Sequence, residues 1–420
     1  MRWAKMSKLD ELIEEFCPDG VSYKPLWEVT IWDKKFNAVD KYKQPKTINY
    51  PYLLASELFS LEKEDGDVFL LSTGEQTGWT TEELAGDNLC EGEVVAIPWG
   101  GTPNVKYYNG KFVTADNRIA TSIDTALLCN KFLYYWMQNN IDTIASFYRG
   151  SGIKHPNMKK VLDMEIPIPP LPVQHEIVRI LDNFTELTTE LTTELTAELT
   201  ARQKQYEYYR DKLLTFGKNT IVNWMKIGEF AECYTGATPK TQTREYWDNG
   251  TIPWMSSGEV NLGQVYDTEK KITKAGYDNC STKMVPANTV VVALAGQGKT
   301  RGMVAITRIP LCTNQSLCSI VPNEQINSNY LYYYLKTQYQ NLRFISSGDG
   351  TRGGLNLKMI RNYSVPVPPL EEQERIVAIL DRFDALCNDL TSGLPAEIEA
   401  RKKQYEYYRD KLLSFKEMKS

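Results

Sequence analysis

The amino-acid sequence predicts an α+β protein in which two mixed modules alternate with two long helical regions. Three observations support this class. The chain repeats itself at a spacing of 199 residues, it contains a long stretch without proline or glycine, and runs of β-branched residues lie outside that stretch. With 420 residues, 42% of them hydrophobic, the chain has the length and apolar surface for two or three packed domains.

The duplication is clearest in two pairs of segments. Residues 166–182 (IPIPPLPVQHEIVRILD) match residues 365–381 (VPVPPLEEQERIVAILD) at 10 of 17 positions. Residues 201–216 and 400–415 share the sequence QYEYYRDKLL and match at 14 of 16 positions. A weaker match relates 50–57 to 252–259. Because the helical segments match better than the modules between them, we expect a common frame that carries two different binding modules.

The first helical region follows a proline-rich segment, and from Val173 to about Phe216 it lacks proline and glycine. Its apolar residues recur every three or four positions, which predicts one continuous helix of about 65 Å at 1.5 Å per residue. A helix of this length is typical of a coiled coil. A four-residue repeat from Phe184 to Leu199 places leucine at every fourth position, which indicates a spacer helix.

The second helical region differs from the first at one point. Gly393-Leu394-Pro395 stands where the first region continues its repeat, and proline is expected to break or kink a helix there. We expect the two helical regions to pack as an antiparallel coiled coil with a pseudo-twofold relation. The predicted boundaries are an N-terminal helical segment 1–23, modules 24–165 and 218–364, and helical regions 166–217 and 365–420.

Within the modules, alternating and continuous apolar runs predict the local structure. Val94–Ile97 and Val290–Leu294 are typical of buried strands, and Lys131–Gln138 and Tyr330–Tyr339 are typical of aromatic-rich helices.

Charge is distributed unequally between the modules. The whole chain has a net charge of −5, which by itself argues against nucleic acid as a ligand. Residues 226–364, however, contain 15 basic and 10 acidic residues, whereas residues 24–165 contain 15 and 19. The second module is therefore the more favourable one for an anionic partner.

Both modules contain glycine-rich polar segments in which basic residues alternate with Ser, Thr, Asn and Gln. Glycine permits close approach to phosphate, Lys and Arg neutralise phosphate, and Gln, Asn and Arg can recognise base edges. Such segments are more often plain turns, but their recurrence in both modules favours nucleic-acid binding. The candidates in the first module are Lys34, Lys35, Lys41, Lys43, Ser72, Thr73, Gln76, Thr102, Asn104, Lys106, Arg149 and Lys154. The candidates in the second module are Thr238, Lys240, Thr241, Arg244, Ser256, Ser257, Gln297, Lys299, Thr300, Arg301, Asn314, Gln315, Arg352, Asn356 and Lys358.

Other function classes find little support. No apolar run reaches the roughly 18 residues of a membrane span, and the charged N-terminus is not typical of a signal peptide. Eight cysteines without a Cys-x-x-Cys pair fit a reducing cytoplasm and argue against structural zinc. Gly296–Thr300 is similar to an ATP-binding loop, but Ala293 stands where that motif requires glycine. With two histidines and no methyltransferase motif, we expect no catalytic or metal site and a cytoplasmic protein.

Three pairs of segments together closely resemble one family. They are the paired proline-rich segments, the paired Gln-x-x-Ile-Val-x-Ile-Leu-Asp segments at Gln174 and Gln373, and the paired QYEYYRDKLL blocks. Gly236-Ala-Thr-Pro-Lys240 and the segment 252–259 add to this pattern. The family is the DNA-specificity (S) subunit of type I restriction–modification systems. The four-residue repeat is similar to that of the subclass with a Thr-Ala-Glu-Leu spacer. The resemblance extends over essentially the whole chain.

The resemblance implies a non-catalytic subunit with two target-recognition domains, each recognising one half of a bipartite double-stranded DNA site. It implies that the helices set the spacer and dock two modification subunits, which methylate adenine, and that two restriction subunits join the complex. No cofactor is expected on this chain, whereas S-adenosylmethionine, ATP and Mg are expected on the partners. The residues expected to form the spacer and docking surface are Leu187, Leu191, Leu195, Leu199, Tyr206, Tyr209, Tyr405 and Tyr408.

Two alternatives remain open at this point. The chain could be a coiled-coil adaptor whose modules bind protein, or an enzyme whose active site has no recognised motif. Steeply salt-dependent duplex binding would favour the DNA-recognition function, and turnover by the isolated chain would favour the enzyme.

Overall fold

A computed structural model of the chain describes residues 7–216, 222–296, 299–346, 354–388 and 393–418. The chain divides into two compact units. The first contains the residues up to Glu194 together with those from Ile398 onward, and the second is Leu195–Glu397. Each unit thus combines one module with parts of both helical regions.

The elements up to the first long helix are α1 (Lys8–Phe16), β1 (Ser22–Pro25), α2 (Leu26–Val29), β2 (Thr30–Trp32), α3 (Ala55–Ser60), β3 (Val68–Leu71), β4 (Gly78–Thr80), α4 (Glu82–Ala85), β5 (Cys90–Pro98), β6 (Lys106–Thr114), β7 (Asn117–Ser122), α5 (Asn130–Asn139), α6 (Ile141–Ser146), β8 (Tyr148–Arg149), β9 (His155–Pro156), α7 (Met158–Leu162), β10 (Glu165–Ile168) and α8 (Leu171–Leu214).

The remaining elements are β11 (Asn223–Lys226), α9 (Ile227–Phe230), β12 (Ala231–Thr235), β13 (Ile252–Met255), β14 (Gln264–Val265), β15 (Lys270–Ile272), α10 (Lys274–Asp278), β16 (Val290–Ala293), β17 (Val304–Thr307), β18 (Cys312–Thr313), β19 (Leu317–Pro322), α11 (Ser328–Thr337), α12 (Tyr339–Ile345), α13 (Leu357–Arg361), β20 (Ser364–Val367), α14 (Leu370–Asn388) and α15 (Leu394–Leu413). Short 3-10 turns lie at Lys41–Lys43, Gly86–Asn88, Arg244–Tyr246 and Ser257–Leu262.

Each module is built on a mixed sheet. The first unit has a six-stranded sheet in the order β2-β7-β5-β6-β3-β4, in which β3 runs parallel to β6. The second unit has a five-stranded sheet in the order β12-β19-β16-β17-β14 and a three-stranded sheet β15-β13-β18. Strand β5 includes the predicted segment Val94–Ile97, and β16 contains the predicted segment Val290–Leu294 except for Leu294. The predicted α+β class is therefore confirmed.

In each unit, a helix of the module packs between the sheet and the start of a spacer helix. In the first unit, Phe132 and Leu133 of α5 belong to the same buried cluster as Ile177 and Leu181 of α8. In the second unit, Leu331 of α11 belongs to a cluster with residues 376 and 380 of α14. Residues 376 and 380 are the duplicates of 177 and 181, and all four are completely buried. The duplicated sequence therefore forms the same apolar interface twice.

The first helical region forms one continuous helix, as predicted. Helix α8 extends over 44 residues, and Pro172 is tolerated because it lies in the first turn, where a backbone N–H has no intrahelical acceptor. The second region is interrupted, also as predicted. Helix α14 ends at Asn388 and α15 begins at Leu394, so that Pro395 again occupies a first turn.

The spacer helices pack antiparallel within each unit. In the first unit the rings of Phe184 and Tyr408 lie 5.8 Å apart, and the Thr185 and Tyr405 hydroxyls lie 3.0 Å apart. In the second unit Phe383 stacks on Tyr209 with ring centroids 5.8 Å apart. Phe184 and Phe383 are duplicates, as are Tyr209 and Tyr408. The duplication therefore preserves this helix–helix contact. In the described residues, no helix is both long and apolar enough to cross a bilayer.

Candidate nucleic-acid interface

In the first unit, three loops that follow or connect strands contact one another. They follow β3, follow β5, and connect β8 to β9. The Asn104 amide donates to the carbonyl oxygen of Thr73 at 2.9 Å, which joins the first two loops. The Gly101 N–H donates to the carbonyl oxygen of Lys154 at 3.2 Å, which joins the second loop to the third. Candidates that are far apart in sequence are thus brought together.

Two candidates of this unit hold the loop after β3 in place. The Lys106 ammonium donates to the carbonyl oxygen and to the hydroxyl of Ser72, each at 2.9 Å, and also to the Gly74 carbonyl. Burial lowers the pKa of Lys106 to about 8. Ser72 is itself buried, and its hydroxyl donates to the Gln76 carbonyl. The structure therefore places Ser72 and Lys106 inside the loop framework.

The basic residues before α3 divide into two groups. Lys34 forms ion pairs with Asp116 at 3.5 Å and Asp33 at 3.7 Å, and its ammonium lies 4.5 Å from the centre of the Tyr52 ring. Lys43 pairs with Asp163 at 2.5 Å. Lys35 and Lys41 are exposed. Lys34 and Lys43 thus already have acidic neighbours, whereas the other two face solvent.

The outer surface of the three loops carries the other candidates of this unit. Gln76, Thr102, Arg149 and Lys154 are exposed, and Thr73 and Asn104 are partly exposed.

Sequence reasoning missed one cluster beneath these loops. The guanidinium of Arg118 lies 3.9 Å from the centre of the Trp99 ring, and Trp99 packs against His155 with ring centroids 5.0 Å apart. Arg118 also pairs with Asp116 at 2.9 Å and is almost completely buried. The cluster supports the loop after β5 against the β8–β9 hairpin. An arginine inside an otherwise buried strand was the available signal for it.

In the second unit, four segments converge in the same manner. The Thr238 hydroxyl donates to the Gln315 side-chain oxygen at 2.5 Å. The Asn314 N–H donates to the Met255 carbonyl at 3.1 Å, and the Leu294 N–H to the Ser316 carbonyl at 2.8 Å. The loop after β12, the end of β13, the loop after β16 and the turn before β19 therefore adjoin one another.

Gly236 explains why the loop after β12 begins as Gly-Ala-Thr-Pro. A Cβ atom at this position would lie 1.7 Å from the carbonyl oxygen of Thr313, which no side chain can tolerate. The indole N–H groups of Trp254 and Trp247 then donate to the carbonyls of Ala237 and Lys240 at 3.0 and 3.2 Å. The loop is thereby fixed against β13 and β18, and its polar side chains are held on a defined surface.

The candidates of the second unit differ in exposure. Lys240, Thr241, Arg244, Lys299, Gln315, Asn356 and Lys358 are exposed, and Thr238, Ser256, Ser257, Thr300 and Asn314 are partly exposed. Arg301 is 3% exposed and lies inside the protein. The Asn356 side chain accepts from the Met359 N–H at 3.0 Å and so caps α13. Gln297 and Arg352 lie outside the described residues.

The predicted docking residues occupy two kinds of surface. Tyr206 is buried against Phe383, and Tyr405 is partly buried beside Thr185. Leu187 is 60% exposed, and together with Leu191 it borders a cavity of about 230 Å³ between α8 and α15. Leu195 and Leu199 are partly exposed, whereas Tyr209 and Tyr408 are exposed. Within the described ranges, no group of three or more His, Cys, Asp or Glu side chains is arranged to hold a metal.

Comparison with known proteins places these features in a family. Residues 41–201 and 221–400 match the family described as the type I restriction modification DNA specificity domain. The EcoR124I/EcoR124II specificity subunit of Escherichia coli, a type I restriction enzyme subunit, is 34% identical, with 98% of each chain covered. The MjaIX specificity subunit of Methanocaldococcus jannaschii is 34% identical over 43% of this chain and 39% of its own.

Solved structures share the fold at low sequence identity. One from a study of complex assembly and conformational transition of the type I restriction–modification system has a TM-score of 0.62 at 17% identity. It covers 94% of this chain and 98% of its own. The S subunit from M. genitalium has a TM-score of 0.52 at 17% identity and covers 94% of this chain and 96% of its own.

Proposed function

The chain belongs to the type I restriction–modification DNA specificity family, and from this premise we propose that each of its units recognises one half of a bipartite DNA site. The specificity subunits of this family are non-catalytic, so catalysis lies on partner subunits. The chain accordingly acts together with the other subunits of such a system. The adaptor alternative is not favoured, because the family match covers both modules.

One observation carries the proposal. Both units present a cluster of loops in which strand ends and fixed turns hold polar side chains, but the exposed side chains differ between the units. Thr102, Arg149 and Lys154 stand on one surface, and Lys240, Arg244 and Gln315 stand on the other. Phosphate contacts position a protein on DNA, and contacts to base edges provide specificity. Two surfaces of different composition on one frame suit two different half-sequences.

The spacer helices supply the distance between the half-sites. At 1.5 Å per residue, the 44 residues of α8 span about 66 Å, which exceeds the roughly 34 Å between half-sites one turn apart. We propose that their exposed residues, among them Leu187, Tyr209 and Tyr408, dock two modification subunits. In this proposal the modification subunits methylate adenine with S-adenosylmethionine, and two restriction subunits use ATP and Mg.

The salt dependence of duplex binding tests this function. In the complex of the chain with its modification subunits, the logarithm of affinity should fall linearly with the logarithm of salt concentration. With about four phosphate contacts the slope would be roughly −3.6. A slope near zero would instead favour a protein adaptor. Fluorescence anisotropy on a labelled duplex measures this slope.

Two variants locate the contacts. Replacing Lys240 and Arg244 by alanine should reduce the steepness of the slope by about one for each phosphate that is no longer neutralised. The control is Lys226→Ala, which removes an exposed lysine near the beginning of β12, away from the loop that follows its end. A slope that changes equally in both variants would show that the loop after β12 is not the contact surface.

A further inference from the structure

A buried glutamine lies near the start of each spacer helix. In the first unit, Gln174 is completely buried. Its side-chain oxygen accepts from the Cys129 N–H at 2.8 Å, and its amide donates to the carbonyls of Leu127 and Pro169, each at 2.7 Å. Cys129 immediately precedes α5, the module helix that packs on α8. One side chain of the spacer helix therefore bonds both to the module and to the beginning of its own helix.

The second unit repeats this arrangement with the duplicate residue. Gln373 is also completely buried. Its oxygen accepts from the Asn327 N–H at 2.8 Å, and its amide donates to the carbonyls of Gln325 and Pro368 at 3.1 and 2.8 Å. Asn327 precedes α11 as Cys129 precedes α5. The same three bonds are thus formed although the module residues that take part differ, with Cys129 and Leu127 in one unit and Asn327 and Gln325 in the other.

A second contact lies eight residues further along each spacer helix. The Tyr135 hydroxyl of α5 donates to Asp182 at 2.7 Å, and the Tyr333 hydroxyl of α11 donates to Asp381 at 2.6 Å. Eight residues of helix correspond to about 12 Å. The module helix is therefore fixed to its spacer helix at two points, and apolar side chains fill the space between them.

Polar contacts of this kind oppose sliding, because hydrogen bonds are directional. A shift of the module by one helical residue would move it by about 1.5 Å and would leave the buried glutamine amide without partners. A buried polar group without a hydrogen bond is strongly unfavourable, so such a shift is disfavoured. The completely buried apolar residues at 177 and 181 add to this resistance, because protein interiors are closely packed.

We propose, on the basis of the function above, that Gln174 and Gln373 are positioning residues that hold each recognition module in one register on its spacer helix. They thereby determine which spacer length between the half-sites the subunit accepts. They touch no DNA, so they affect the distance between the half-sequences and leave the half-sequences unchanged.

The test compares binding of the assembled complex to duplexes whose spacer is shortened or lengthened in steps of one base pair. Two variants weaken the contacts of the second unit. Gln373→Met keeps the size and removes all three bonds, and Tyr333→Phe removes only the hydroxyl bond to Asp381. The control is Thr289→Val, which removes a buried hydroxyl that donates to the Pro286 carbonyl at 2.7 Å inside the module.

We expect Gln373→Met to reduce the preference for the best spacer over its neighbours by roughly tenfold, the effect of losing buried hydrogen bonds of ordinary strength. Tyr333→Phe should reduce it less, and Thr289→Val should leave the preference unchanged. Gln174→Met and Tyr135→Phe should reproduce the effect from the first unit. The half-sequences recognised should stay the same in every variant.

Two results would overturn the inference. If Gln373→Met and Tyr333→Phe weaken binding equally at every spacer length, as a purely structural role would require, the residues do not set the register. If the half-sequences change, the residues act on base recognition. Absence of any spacer preference in the wild-type complex would instead refute the proposed function itself. The wild-type measurement therefore distinguishes failure of the proposed function from failure of the inference about the glutamines.

Discussion

The two units differ in their loops far more than in their frames. Both hold a module helix to a spacer helix through a buried glutamine and a Tyr–Asp hydrogen bond, at equivalent places in the two units. Their exposed loops diverge. Lys34 and Lys43 of the first unit have acidic partners, whereas Lys240 and Arg244 of the second are exposed in a module with more basic than acidic residues. The contrast indicates that the frame is constrained and the recognition surface is free to vary.

Exchange of a module should give the largest effect. Replacing residues 226–364 by the corresponding segment of a relative with another target should replace one half-site completely and leave the other intact. The reason is that the spacer-helix side of the frame contacts, Gln373 and Asp381, stays in place, while the loops that differ lie inside the exchanged segment. Mapping the adenines that the assembled complex methylates identifies both half-sites. An unchanged site would show that the second unit does not recognise DNA independently.

Deletion of one repeat unit, Thr192–Leu195, should give the next largest effect. Removing four helical residues shortens α8 by about 6 Å, which corresponds to roughly one to two base pairs of spacer. Both half-sequences should persist, because neither loop cluster is altered. The wild-type chain is the control and keeps the original spacer. Altered half-sequences after the deletion would mean that α8 does not act as a spacer.

Replacement of Lys106 by methionine should give a smaller effect, confined to the first unit. It removes the hydrogen bonds to Ser72 and Gly74, so discrimination at one half-site should weaken while the other half-site is unaffected. Competition binding with duplexes mutated in one half at a time measures this. Equal losses at both half-sites would show that Lys106 acts on the whole subunit.

Lys106 also predicts a dependence of stability on pH. Burial lowers its pKa to about 8 in the folded protein, so between about pH 8 and the ordinary lysine pKa of 10.5 the unfolded chain binds more protons. The contribution of Lys106 to the free energy of unfolding should therefore rise with pH across that window. The rise should be smaller than the roughly 3 kcal/mol of the full shift, because Lys106 is partly exposed and solvent screens its charge. Urea unfolding measures this rise as a difference between the wild type and Lys106→Met, because buried thiols such as Cys90 and Cys312, whose pKa burial raises to about 11, act in the opposite direction in both proteins.

Patterns within one helix were predictable from the sequence, whereas contacts between distant segments were not. The proline-free stretch after Pro172 predicts α8, and Pro395 predicts the interruption before α15, because proline acts locally on the backbone. The convergence of Ser72, Asn104 and Lys154 depends on the order of strands in the sheet. That order is decided by tertiary packing rather than by spacing along the chain.

Burial explains why some candidate residues of the DNA-binding loops do not face solvent. Lys106 and Ser72 have the residue types of a DNA-binding loop, but the structure turns them inward, and Arg301 is buried in the second unit. Residue type alone does not indicate which way a side chain faces in an irregular loop. Gln174 belongs to a motif that is recognised in the sequence. Its hydrogen bonds to Cys129 and Leu127, however, become evident only in the folded protein.

The most direct test of the account is a map of the adenines that the assembled complex methylates in random-sequence DNA. The account predicts one asymmetric motif with two fixed half-sequences separated by an unspecified spacer of constant length. A single continuous motif, or methylation without sequence preference in the presence of this chain, would contradict it.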